Sequence, residues 1–158
     1  MNVTFGTLQP EVFVNELSQL GLLEVAEGRR ALQASATTGT SIEKTLLEIG
    51  LIAEEPLFQS LATHLGLPFV GASEVDLDLV TKFGMDREFL LRVDCIPVRW
   101  SAEALVIATC DPRGADVISG MGQYLRQPVQ AAITLPSTVK LLQGTENDAP
   151  QDTDGVSS

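Results

Sequence analysis

Catalytic and metal-binding side chains are scarce in this sequence of 158 residues. It has one histidine, His64, and two cysteines, Cys95 and Cys110, without a Cys-x-x-Cys spacing. A structural zinc site usually needs four nitrogen or sulfur ligands, and a nucleophile–histidine–acid triad would have to use His64. His64 falls where an amphipathic helix is expected to end, and a cation suits that position. We therefore predict a structural role for His64, no catalytic residue and no metal site.

Basic residues and long apolar runs are also few. Ten lysines and arginines stand against 21 aspartates and glutamates, which gives a formal net charge of −11. Nucleic acids are held mainly by clustered lysine and arginine, so we predict no nucleic-acid partner. No apolar run approaches the ~20 residues that span a bilayer, and the first residues lack a signal-peptide pattern. We expect a cytoplasmic chain without direct membrane insertion.

A phosphate loop is missing as well. The closest segment, residues 38–45, has Glu43 where the motif needs its second glycine, and a carboxylate there repels phosphate. Glu74, Asp76 and Asp78 alternate in a loop-like run that is typical of a solvated surface. We predict a protein that is not an enzyme. An enzyme built around the single histidine is the least favoured alternative.

What the sequence does contain is an internal repeat at a shift of 29 residues, in which Gly21 falls on Gly50. The aligned apolar pairs are Phe13 with Ile42, Leu17 with Leu46, Leu20 with Ile49, Leu22 with Leu51, Leu23 with Ile52, and Leu32 with Leu61. Each unit predicts a helix with an i, i+4, i+7 apolar stripe, a glycine stop and a second helix. Ser41 is expected to cap the third helix. Two such hairpins should pack together to bury their stripes.

The second half of the chain has a different pattern. It predicts short helices at 76–83 and 86–91, strands at 69–70, 95–100, 105–110 and 129–135, and helices at 115–125 and 137–142. A symmetric hairpin of the strands at 95–100 and 105–110 would pair Cys95 with Cys110, Ile96 with Thr109, Val98 with Ile107, and Trp100 with Leu105. Pro97 lacks an amide donor, which indicates an edge or a bulge.

These patterns together predict an α+β fold. An N-terminal helical repeat subdomain of two helical hairpins is expected over residues 1–66. A small α/β-layered subdomain with a mostly antiparallel sheet is expected over residues 67–143. Residues 144–158 contain acids but no base, which predicts a disordered acidic tail or linker.

An ordered set of short segments carries a family resemblance. The segments are Gly21-Leu22-Leu23, residues 46–52, Leu57 with Leu61-Ala62, residues 65–70, Ile96-Pro97-Val98 and residues 105–112. Together they resemble the N-terminal domain of type II secretion and type IV pilus assembly ATPases. The resemblance covers the chain from about Phe13 to Leu142.

The resemblance implies a non-catalytic regulatory and docking domain. In that family the domain precedes an ATPase and docks to a membrane-anchored secretion or pilus platform protein, or it binds cyclic di-GMP. Similar domains are appended to bacterial membrane glycosyltransferases, which gives an alternative host. We expect recruitment to the inner membrane through a partner.

Cyclic di-GMP is the alternative ligand that the resemblance implies. The residues that would bind it are Leu17, Gly21, Leu22, Leu23, Leu46, Gly50, Leu51 and Ile52. Family members that bind this dinucleotide carry an Arg-Leu-Gly before each turn glycine and a Gln after it. Here the Arg-Leu-Gly positions hold residues 12–14 (Val-Phe-Val) and 41–43 (Ser-Ile-Glu), and the Gln positions hold Ser35 and His64. The apolar frame matches while the polar contacts are missing, so we predict no cofactor.

A docking surface is the second expectation for the first repeat. An exposed apolar patch at Leu20, Leu22 and Leu23 would suit a partner helix. The ordinary alternative is that these residues fill the interface between the two subdomains.

Overall fold

The structure of the protein is a computed structural model that describes residues 8–143. The chain divides into two compact units, the first ending at Phe69 and the second beginning at Val70. The tail expected over residues 144–158 lies outside the described residues. Within residues 8–143, no helix has the length and apolar character needed to cross a membrane.

The first unit consists of four helices, as the repeat predicts. They are α1 (Pro10–Gln19), α2 (Val25–Thr38), α3 (Ile42–Ile49) and α4 (Glu54–Leu65). Each helix packs against the next one, and α1 also packs against α4, so the four helices surround one apolar core. Its fully buried large side chains are Phe13, Leu17, Ile42, Leu46, Leu57, Phe58, Leu61 and Leu65.

The prediction that the Ser41 side chain caps α3 is wrong. Ser41 does occupy the N-cap position of α3 with an extended backbone, but its side chain caps no backbone N–H group. Its hydroxyl instead donates to the Glu43 carboxylate at 2.6 Å. The hydroxyl therefore serves as a hydrogen-bond donor to Glu43, which is only 1% exposed.

The second unit combines short helices with a three-stranded sheet. After a 3-10 turn at Ala72–Glu74 come α5 (Asp78–Lys82), α6 (Arg87–Arg92), β1 (Cys95–Trp100), β2 (Leu105–Thr109), α7 (Gly114–Leu125), β3 (Val129–Ile133) and α8 (Pro136–Val139). Asp86 caps α6 through a hydrogen bond from the backbone N–H of Glu88, as expected. In place of the strand expected at 69–70, the structure has a backbone hydrogen bond to the end of β3. The Val70 N–H donates to Ile133 O at 2.9 Å.

The sheet has the order β1-β2-β3 and is mixed. β1 and β2 form an antiparallel hairpin, whereas β2 and β3 are parallel. The α+β class is confirmed, and the expectation of a mostly antiparallel sheet is wrong. The reason is that α7 lies between β2 and β3 in sequence and packs on both strands, and such a crossover returns the chain in the same direction.

The hairpin register departs from the symmetric expectation at one bulge. Trp100 pairs with Leu105 as predicted, but the register shifts between Pro97 and Arg99. The bulge that Pro97 indicates is therefore present. Beyond it Pro97 pairs with Ile107, Ile96 with Ala108, and Cys95 with Thr109, each one residue away from the symmetric pairing.

The cysteines are consequently not opposite each other, and both are buried and outside any disulfide. Burial raises the pKa of the Cys95 thiol to about 12, while a hydrogen bond with Thr109 opposes that shift. Cys95 is therefore a protonated core side chain at neutral pH, not a nucleophile.

Candidate functional site

The first glycine turn closes α1 with two backbone hydrogen bonds. Gly21 has a φ of +77°, in the left-handed region. Its N–H donates to Ser18 O at 3.0 Å, and the next amide, of Leu22, donates to Leu17 O at 3.0 Å. This pattern is the Schellman motif, which satisfies carbonyls that a helix C-terminus leaves without partners.

The second glycine turn repeats this geometry at the end of α3. Gly50 has a φ of +83°. Its N–H donates to Leu47 O at 3.1 Å, and the Leu51 N–H donates to Leu46 O at 3.2 Å. Equivalent residues of the two repeats therefore make equivalent bonds. The predicted repeat is confirmed at the level of individual backbone hydrogen bonds.

The eight residues expected to contact a cyclic dinucleotide divide into core and surface positions. Leu17 and Leu46 are fully buried, and Leu23 and Ile52 are 5% and 6% exposed. These four side chains belong to the apolar core of the first unit. The turn glycines are exposed and the leucines that follow them are half-buried, so a binding surface has Gly21, Leu22, Gly50 and Leu51 available.

The residues just before the two glycines have exposed apolar side chains. Leu20 is 65% exposed and Ile49 is 53% exposed. The stripe pattern placed both in the core, and that expectation is wrong, because packing covers Phe13 and Leu17 of α1 but not Leu20, the residue that follows the helix. Of the docking candidates, Leu20 is exposed, Leu22 is half-buried and Leu23 is core.

We name Leu20, Leu22, Ile49 and Leu51, with the glycines between them, the turn surface, which consists of one exposed turn in each repeat. Ile49 was missed as a docking candidate, although the 29-residue shift that aligns it with Leu20 was a sufficient signal. An added Cβ at either glycine would meet nothing within 4 Å, so both turns are open on that side.

The two positions at which the family resemblance implies an arginine for cyclic di-GMP binding hold no cation here. Val12, in α1, is a 45% exposed apolar side chain. The Ser41 hydroxyl donates a hydrogen bond to Glu43, which stands at the position where the resemblance implies glycine. Residues 8–69 as a whole carry eight acidic and only three basic side chains. The electrostatics of the first unit therefore oppose a ligand with two phosphates.

His64 lies in the last turn of α4, as predicted, and links that helix to α1. Its Nδ1 is 2.9 Å from Glu16 Oε1, and its Nε2 accepts the Gln9 N–H at 3.2 Å. The ring also contacts Phe13, with centroids 5.4 Å apart. Both ring nitrogens are thus occupied in holding two helices together. Among residues 8–143, no group of three or more His, Cys, Asp or Glu side chains could hold a metal ion.

Comparison with known sequences gives a family and a relative. Residues 65–144 match the family described as the MshEN domain. The type IV pilus assembly ATPase PilB of Thermus thermophilus is 32% identical over 103 residues, which are 65% of this chain and 12% of that protein. The chain therefore spans about an eighth of the length of the curated relative that it matches.

Comparison with solved structures gives the fold. A structure of MshE with cdg has a TM-score of 0.67 and 24% identity, and the match covers 85% of this chain and 96% of the other. The N-terminal domain of XpsE has a TM-score of 0.63 and 21% identity, with coverage of 90% and 96%. The likeness in fold thus extends over 85% to 90% of the chain, while the family match covers mainly the second unit.

Proposed function

Since the chain belongs to the MshEN domain family, we propose that it is a non-catalytic regulatory and docking domain that works with a bacterial secretion or pilus ATPase. The observation that carries this proposal is the turn surface, which pairs two equivalent glycine turns with exposed Leu20 and Ile49. Its scaffold matches that of a nucleotide sensor, but its exposed groups are apolar. Such a surface suits a protein partner better than a dinucleotide.

The surroundings of the turn surface indicate the chemistry of the partner. Glu24 and Glu48 are exposed and lie within three residues of the turn glycines. Exposed apolar side chains with acidic neighbours in the chain are complementary to an amphipathic segment with basic flanks. We propose that such a segment belongs to a membrane-anchored platform protein, which would hold this domain in the cytoplasm at the inner membrane.

The host that this domain regulates is proposed from the relatives. The PilB match favours an ATPase over a membrane glycosyltransferase. In this proposal the domain carries out no hydrolysis, and it transmits the position of the platform protein to the ATPase.

Cyclic di-GMP sensing is the second candidate, because a structure with the same fold was solved as MshE with cdg. The left-handed glycines and the half-buried leucines of the turn surface match what a sensor needs to pack against guanine bases. The absence of arginine at the two recognition positions, which hold Val12 and Ser41, argues against cyclic di-GMP sensing. Each charge-assisted hydrogen bond that is missing costs about 1.5–3 kcal/mol of binding.

A binding experiment with two surface variants tests the docking proposal. Inner-membrane secretion and pilus proteins are taken from the bacterium that produces this chain, and their cytoplasmic domains are immobilised. Binding of the full chain to each of them is measured by biolayer interferometry. We expect one domain to bind, and the double variant Leu20→Glu/Ile49→Glu to bind at least about tenfold more weakly.

The matched control is Tyr124→Glu, which adds a carboxylate at an 85% exposed side chain in the second unit. This control should leave the affinity unchanged, and circular dichroism should show all three proteins folded. The docking proposal is wrong if no cytoplasmic domain binds, or if Tyr124→Glu weakens binding as much as the double variant does.

A further inference from the structure

An open cleft of about 590 Å³ lies in the second unit, beside the end of β1. Its lining residues are Asp76, Asp78, Leu79, Thr81, Lys82 and Trp100. The cleft shares no residue with the turn surface. Its lining combines one aromatic ring, two carboxylates and one ammonium group, which is a set of groups suited to a charged ligand.

The ring of Trp100 is held in a fixed orientation. Its Nε1 donates to Gln127 Oε1 at 3.2 Å, and Phe83 packs edge-on with ring centroids 5.5 Å apart. Trp100 is nevertheless 46% exposed, which is unusual for the largest apolar side chain. Lys82 Nζ lies 4.8 Å from the ring centroid, so the exposed face already accommodates a cation.

The two aspartates are positioned by the backbone around them. The Asp76 N–H donates to Pro97 O at 3.4 Å, and the Asp78 N–H donates to Asp76 Oδ1 at 3.1 Å. Neither carboxylate belongs to any ion pair found among residues 8–143. Glu74 nearby differs, because it pairs with Arg99 at 3.4 Å. The cleft therefore has two carboxylates against the single charge of Lys82.

We propose that this cleft binds an arginine side chain from a basic segment of a protein partner. A guanidinium group is planar, so it stacks on the Trp100 ring while its N–H groups donate to Asp76 and Asp78. The net charge of −11 on the chain attracts a basic segment from a distance. A nucleotide is disfavoured, since its phosphates would meet the two aspartates. The inference does not depend on the docking proposal, because the residues concerned are different.

The fluorescence of Trp100 reports on the cleft directly, because the chain has a single tryptophan. The full chain is titrated with a short acetylated peptide that carries two arginines. The same peptide with citrulline in both places is the reference, since citrulline keeps the shape and loses the charge. We expect a saturable change in Trp100 emission with the arginine peptide and at least about tenfold weaker binding of the citrulline peptide.

Two double variants locate the binding site. Asp76→Asn/Asp78→Asn should weaken binding of the arginine peptide by at least about tenfold. Asp116→Asn/Glu103→Gln removes the same charge at exposed positions outside the cleft, and it should change the affinity by less than about threefold. All four positions are exposed, so folding is expected to be preserved, and circular dichroism checks it.

Lys82→Gln separates an arginine site from a nucleotide site. Removing the competing ammonium from the ring should strengthen binding of the arginine peptide severalfold, whereas an anionic ligand would bind more weakly. The proposal is overturned if the arginine peptide leaves the emission unchanged at millimolar concentration. It is also overturned if citrulline binds equally well, if both double variants behave alike, or if GMP binds and loses affinity in Lys82→Gln.

Discussion

Leu17→Ala and Leu46→Ala should each lower the free energy of unfolding of the first unit by about 3–4 kcal/mol. Both leucines are fully buried, and they occupy equivalent positions in the two repeats. Truncation removes the transfer free energy of three carbons and leaves a cavity that four packed helices cannot fill. Urea unfolding should be followed by far-UV circular dichroism, because Trp100 reports on the second unit.

The matched controls are Leu20→Ala and Ile49→Ala, one turn further along the same helices. Their side chains are 65% and 53% exposed, so each variant should stay within about 0.5 kcal/mol of the wild-type protein. A large loss of stability in Ile49→Ala, with little loss in Leu46→Ala, would mean that the second repeat packs differently from the first.

Gly114→Ala should destabilise the second unit by about 1–3 kcal/mol. A Cβ on this first residue of α7 would lie 2.7 Å from Thr109 Cβ, which is too close for two non-bonded carbon atoms. Thr109 cannot move away, because it is fully buried in β2 and its hydroxyl accepts the Asp111 N–H at 3.1 Å. Urea unfolding followed by Trp100 fluorescence measures this change.

Gly120→Ala is the control within the same helix. An added Cβ there meets nothing within 4 Å, and alanine is the better helix former. We expect this variant to be more stable than the wild-type protein by about 0.5–1 kcal/mol. If the two alanine variants were equally stable, the close packing of α7 on β2 would be contradicted.

The helices and their ends could be predicted because their signals are local. The apolar period and the two stop glycines, Gly21 and Gly50, lie within a few residues of the structure that they determine. The sheet is different, since the parallel pairing of β2 with β3 depends on the crossover through α7. The bulge after Pro97 moved three hairpin pairs by one residue, and only the missing amide of the proline indicated it.

The candidate site was harder to predict than the fold. Periodicity places Phe13, Leu17 and Leu20 on one face of α1, but it does not say where the packed neighbours of that face end. Exposure of Leu20 is therefore a tertiary property. The Trp100 cleft likewise joins residues 76–82 with the end of β1, and the sequence indicated only that its aspartates are solvated, which is confirmed.

Isothermal titration calorimetry of the full chain with cyclic di-GMP tests the central claim most directly. The claim is that the two repeats retain the glycine turns of a nucleotide sensor and lack its charged contacts. We predict no measurable heat of binding up to about 100 µM ligand, because the arginine positions hold Val12 and Ser41. Saturable binding with a Kd of about 1 µM would contradict the claim and identify the turn surface as a ligand sensor.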